Sequence, residues 1–131
     1  MNVSNKTTRV LWTGAAAALL ALAVVVPRVM STAETREIHL VARGMAYYVA
    51  GGNEPNPELR VSAGDRVRIR FVNRDPGMTH DFGVAAWNVA TGAVGESREA
   101  VVEFTAPSGP ADVRYACTPH GEMMHGTIHV E

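Results

Sequence analysis

Residues 117–126 (CTPHGEMMHG) gather the chain's only cysteine, two histidines and two methionines close to the C-terminus. All are soft or borderline metal donors, and packing alone does not account for such a density. Cys117 and His120, in C-x-x-H spacing, can present a thiolate and an imidazole to one ion. Pro119 stiffens the turn between them. A third donor must come from elsewhere, and His80, which follows a Pro76-Gly77 loop at the mouth of a strand, is the best placed. Two imidazoles and one thiolate in a trigonal set, with a weak axial methionine, are the donors of a blue-copper electron-transfer site.

These donors need rigid elements to hold them. After a polar connector the sequence becomes a succession of short alternating runs. Residues 37–42 (EIHLVA) place Ile38, Leu40 and Ala42 on one face, and 45–50 (MAYYVA) form a second run closed by Gly51-Gly52-Asn53. Pro55 and Pro57 then exclude a regular central strand. Extended structure resumes at 58–62, and Ala63-Gly64-Asp65 turns the chain. The clearest alternation is 66–73 (RVRIRFVN), with Val67, Ile69 and Phe71 inward and Arg66, Arg68 and Arg70 on a solvated face. Further strands are predicted at 80–85, 99–105, 112–117 and 127–131, with a loop and a short helical turn across 86–98. No segment after Pro27 has a helical apolar period. Seven or eight short strands separated by turn signals predict an all-β, Greek-key antiparallel sandwich in residues 34–131.

The chain has 131 residues, 12 basic and 13 acidic. Residues 10–26 carry no charge, follow Lys6 and Arg9, and end at Pro27-Arg28, which predicts one N-terminal hydrophobic helix. Residues 1–33 thus form either a cleaved signal peptide or a retained membrane anchor. Ser31 and Ala33 offer a cleavage pattern, while an uncharged run of 17 residues is just long enough to span a bilayer. The basic flank sends the remainder across the membrane, so the expected location is periplasmic or otherwise extracytoplasmic. Without Lys6, Arg9 and Arg28 the exported part keeps 9 basic against 13 acidic side chains, about −4, which argues against nucleic acid as a partner. A lone cysteine outside the cytoplasm forms no internal disulfide and survives best as a buried or metal-bound thiol.

Several of these features occur together in one family. The Ala63-Gly64-Asp65 turn leads into a strand ending at Asn73. A single His80 followed by Asp81-Phe82 comes next, then Tyr115-x-Cys117-Thr118-Pro119-His120 with a methionine before the last strand. Over residues 37–131 the chain resembles a cupredoxin of the plastocyanin, amicyanin and pseudoazurin group. The resemblance implies one copper ion, cycling between Cu(I) and Cu(II), with His80, Cys117 and His120 as equatorial ligands. For the axial position, counting forward from His120 favours Met123, whereas counting back from Gly126 favours Met124. We take Met124, because strand geometry anchored at the glycine fixes the donor direction, with Met123 as the alternative.

The resemblance further implies an electron carrier rather than an enzyme: a monomeric domain that docks transiently with redox proteins around the exposed edge of His120. Asp81 is expected to bond Thr118 and tie the two ligand loops together. Pro119, lacking an N–H, favours a higher reduction potential by not donating towards the Cys117 sulfur. His39 and His129 are expected at the surface with local partners. A competing reading is copper trafficking without electron transfer, with Met78, Met123 and His125 assisting Cu(I) exchange. A Cys-His nucleophilic enzyme lacks an evident oxyanion hole, and zinc would prefer a closed tetrahedral set.

Overall fold

The computed structural model describes residues 35–131; the hydrophobic segment 10–26 and the domain limit at 33/34 lie outside the described residues. Nine strands follow in order: β1 Thr35–Arg43, β2 Ala46–Val49, β3 Leu59–Val61, β4 Arg66–Asn73, β5 Gly83–Val84, β6 Val89–Ala90, β7 Glu99–Thr105, β8 Ala111–Ala116 and β9 His125–Val130. A single 3-10 turn, Ala85–Trp87, links β5 to β6. Among the described residues no helix is long and apolar enough to cross a membrane.

The strands form two sheets, β2-β1-β4-β7 and β3-β9-β8-β5-β6. The all-β sandwich expected from the alternation is present, but its sheets are mixed. β1 pairs with β4 in parallel, as does β3 with β9, while the other pairs are antiparallel. The connection explains the first case. A parallel partner cannot be reached by a hairpin, and the chain leaves β2, passes through β3 in the opposite sheet and returns as β4.

The faces follow the period-two pattern. Ile38, Leu40, Ala42, Val67, Ile69 and Phe71 from one sheet pack against Leu59, Val61, Val84, Tyr115, Ile128 and Val130 from the other. Each large apolar side chain buried this way contributes about 1.5–3 kcal/mol. Arg66 and Arg70 are exposed, and Arg68 and Arg70 pair with Glu103 and Glu99 of the neighbouring β7. The three arginines are therefore the solvated face that their spacing implies. His39 and His129 also find local partners, in Glu37 and Asp112.

An aromatic cluster fills the core next to the ends of β4 and β8. Tyr47 meets Phe71, Phe82 and Tyr115 edge-on, and Phe82 stacks on Tyr115 with ring centroids 5.5 Å apart. The two phenol groups are satisfied by backbone carbonyls: Tyr47 donates to Asp81 and Tyr115 donates to Pro57 at 2.6 Å. Both acceptors belong to loops, so the cluster holds loop backbone as well as strands.

Candidate metal centre

Cys117 follows β8, and its position is set by an extra rung of the β8–β9 ladder. The register pairs Tyr115 with Gly126 and Ala116 with His125, and the Cys117 N–H continues it by donating to the Met124 carbonyl at 3.0 Å. Cys117 and Met124 are therefore opposite one another on the face that also carries Tyr115, Gly126, Ile128 and Val130. Both are fully buried. Met123 is one residue out of phase and 56% exposed.

Between them the chain makes two overlapping turns. The Cys117 carbonyl accepts from His120 N–H at 3.3 Å, and the His120 carbonyl accepts from Met123 and Met124 at 3.0 and 2.9 Å. This coil brings His120 back over Cys117, half-buried. Its outer side is tied down by Asn56, whose Nδ2 donates to the Met123 carbonyl at 2.8 Å while its Oδ1 accepts from Tyr47 N–H at 3.1 Å. Gly121 is held by Arg114 at 2.5 Å and by His125 Nδ1 at 2.9 Å. His125 is thus exposed and engaged with backbone, away from the donor cluster.

His80 enters from the other ligand segment. It lies before β5 rather than in a continuous strand from 80, and it is pinned by a bridge to Val94: its N–H donates at 3.1 Å and its carbonyl accepts at 2.7 Å. The side chain is completely buried. Asp81, the next residue, reaches back across the site, and its Oδ1 accepts the Thr118 N–H at 2.6 Å. The link expected between the two ligand segments is present, made to the backbone of Thr118.

The three donors converge. His80 Nδ1 and His120 Nδ1 are 3.1 Å apart, and Cys117 Sγ lies 3.7 and 3.6 Å from them. A point in the plane of these atoms and equidistant from them is about 2 Å from each, the length of a metal–imidazole bond. His80, Cys117 and His120 form the group of potential metal ligands found among the described residues. Burial pushes the Cys117 thiol up, against the pull of the Asp81 and His120 backbone amides. Metal uptake at neutral pH therefore displaces a proton from sulfur.

The sequence reading gave no role at the site to two polar residues behind His80. Asp75, 7% exposed, accepts from His80 Nε2 at 2.9 Å through Oδ2. Asn73, fully buried, donates from Nδ2 to the Met78 and Val94 carbonyls at 2.8 and 2.9 Å and accepts the Asp75 N–H at 2.9 Å. With Nε2 facing a carboxylate, it is Nδ1 of His80 that is turned to the cluster. The available signal was an Asn-x-Asp run shortly before the candidate histidine, which composition alone assigns to a solvated turn.

No protein-family model and no curated protein sequence matches the chain. Solved structures do. Auracyanin A, described as a "blue" copper protein of the photosynthetic bacterium Chloroflexus aurantiacus, is 22% identical with a TM-score of 0.59, over 74% of this chain and 99% of its own. A P52G mutant of amicyanin in its reduced Cu(I) form is 25% identical with a TM-score of 0.51, over 72% of this chain and 82% of its own. A chain of a heme-copper terminal oxidase dimer is 18% identical with a TM-score of 0.61, over 79% and 68% of the two chains. The fold is a cupredoxin-like sandwich.

Proposed function

We propose that the protein holds one copper ion through His80 Nδ1, Cys117 Sγ and His120 Nδ1, with Met124 as the weak axial donor, and carries single electrons between partner proteins outside the cytoplasm. The observation that carries this reading is the donor triangle of 3.1, 3.6 and 3.7 Å, assembled from two segments 37 residues apart. Such a set of two imidazoles and one thiolate serves both Cu(I) and Cu(II), which supplies one-electron chemistry.

The chain's own residues do the rest. Asp75 fixes the ring of His80 and the Val94 bridge its backbone, and the β8–β9 ladder fixes Cys117 and Met124 on one face. Burial of His80, Cys117 and Met124 keeps water from three of the four donors. His120, half-buried and flanked by exposed Pro119 and Met123, is the donor nearest solvent. That edge suits a small, transient contact with a redox partner. The single cysteine, free and buried, suits an extracytoplasmic protein, with residues 10–26 as signal or anchor. The likeness to amicyanin supports a place beside the plastocyanin, amicyanin and pseudoazurin group.

Exposed Met123 favours a second reading, Cu(I) trafficking. Loading the full-length protein with Cu(II) and recording optical and electron paramagnetic resonance spectra separates the two. An intense thiolate-to-copper visible band, lost in Cys117→Ser, is expected of the carrier. A colourless protein that takes only Cu(I), or a Cys117→Ser variant of unchanged colour, would refute it.

A further inference from the structure

The carboxylate of Asp75 is placed where a neutral acceptor would suffice to orient His80. It is nearly buried, and no lysine or arginine pairs with it among the described residues. Its partners are three N–H groups. Oδ1 accepts from Gly44, and Oδ2 accepts from Met45 at 3.0 Å and from His80 Nε2 at 2.9 Å.

The two amides come from the turn that closes the β1–β2 hairpin. Arg43 and Ala46 are the last paired residues, so Gly44 and Met45 are the two central positions, with φ of +55° and +60°. This is the left-handed conformation of a two-residue hairpin turn, and at Met45 it is adopted by a residue with a side chain. Both N–H groups point at one carboxylate. Three N–H donors converge on the one carboxylate, an arrangement that favours its ionised form. Its backbone is also fixed, since its N–H donates to Asn73 and its carbonyl accepts from Met78 at 3.3 Å. The negative charge therefore cannot move away from the imidazole.

A hydrogen bond to an ionised acceptor is roughly twice as strong as one to a neutral group, and it draws the Nε2 proton towards oxygen. Electron density on the ring rises, and Nδ1 becomes the stronger donor. A stronger donor favours the more highly charged state of an ion bound to it. We propose that Asp75, anchored by the Gly44–Met45 turn, is a positioning residue that fixes the His80 tautomer and strengthens its Nδ1 as a donor, lowering the reduction potential of the site. This rests on the copper reading given above, and it opposes the upward effect assigned to Pro119.

The test has two independent arms on the full-length protein. In the metal-free wild type, nitrogen-15 spectra of labelled histidine should show His80 as the Nε2–H tautomer, with an Nε2 proton protected from exchange. An Nδ1–H tautomer, or a rapidly exchanging Nε2 proton, overturns the proposal whether or not the protein is a copper carrier. In the copper-loaded protein, Asp75→Asn keeps shape and removes the charge. Cu(II) affinity should fall about tenfold relative to Cu(I) affinity, an upward shift of about 59 mV, with the visible band retained. Asp75→Glu, which restores a carboxylate, should return the potential towards wild type. A folded Asp75→Asn with wild-type potential overturns the proposal. Should Asp75→Asn fail to fold, the Asp75→Glu potential and the tautomer measurement decide it. A wild type that never develops the band overturns the copper reading instead, and the tautomer measurement then decides the role of Asp75 alone.

Discussion

Tyr115 lies against the backbone of Gly126 so closely that a Cβ at that position would overlap its phenol oxygen and two of its ring carbons. The ring has nowhere to go, being fully buried, hydrogen-bonded to Pro57 and packed on Tyr47 and Phe82. Gly126→Ala is therefore expected to destabilise the metal-free protein by about 1–3 kcal/mol, the usual cost of overpacking a core. Denaturant midpoints measure it, and an unchanged midpoint would contradict the contact.

The two methionines should separate cleanly. Met124→Leu conserves volume in the core and costs under about 1.5 kcal/mol, so the fold survives. It removes the thioether proposed as the axial donor, and the reduction potential of the copper-loaded protein should rise. Met123→Leu, on the exposed side of the turn, should leave potential and spectrum as they were. The reverse pattern would make Met123 the axial donor.

Asp81 joins the ligand segments through the Thr118 amide, and hydrogen bonds to charged groups contribute about 1.5–3 kcal/mol. Asp81→Ala should lower both the stability of the metal-free protein and its affinity for copper in competition with a chelator. If neither changes, the bond does not hold the two segments in place.

Alkali should expose the aromatic cluster. Burial raises the ionisation of Tyr47, reinforced by Cys117 and Asp81, and burial also raises that of Tyr115, reinforced by Glu54. The unfolded chain ionises its tyrosines near pH 10, so above that pH it binds fewer protons than the native state. The stabilisation is thus complete below about pH 10 and is lost as pH rises further. Tyrosinate absorbance should appear for these two residues together with unfolding. A Tyr115→Phe variant should retain more of its neutral-pH stability in alkali than the wild type does.

The side-chain faces were legible in the sequence because alternation assigns each residue to one side of a strand. Val67, Ile69 and Phe71 against Arg66, Arg68 and Arg70 left no choice. Strand direction was not legible, because period two is the same for parallel and antiparallel neighbours, and the partnerships of β1 with β4 and β3 with β9 depend on where the chain crosses between sheets. The donor types at His80, Cys117 and His120 were conspicuous by chemistry. Asp75 and Asn56 were not, because a polar residue in a Pro- and Gly-containing loop looks solvated until the distant segment that buries it is known. For Asp75 that segment is the Gly44–Met45 turn, about 30 residues away.

His80 is one of the points at which the two sheets are sewn together. Its Nδ1 faces donors that hang from β8 and β9, while its Nε2 is held by a residue that follows β4 in the opposite sheet. Sliding one sheet over the other would have to break that chain of contacts, so an ion bound at the donors acts as a rivet against shear. The rivet is at one end only. At the other, the bonds Gly64 to Pro107 and Ala63 to Glu131, at 3.1 and 2.9 Å, only continue the β4–β7 and β3–β9 ladders within each sheet. Loading the site should therefore slow amide exchange around residues 73–82 and 117–124 far more than around 62–65 and 106–110, and the sandwich would open from its unriveted end.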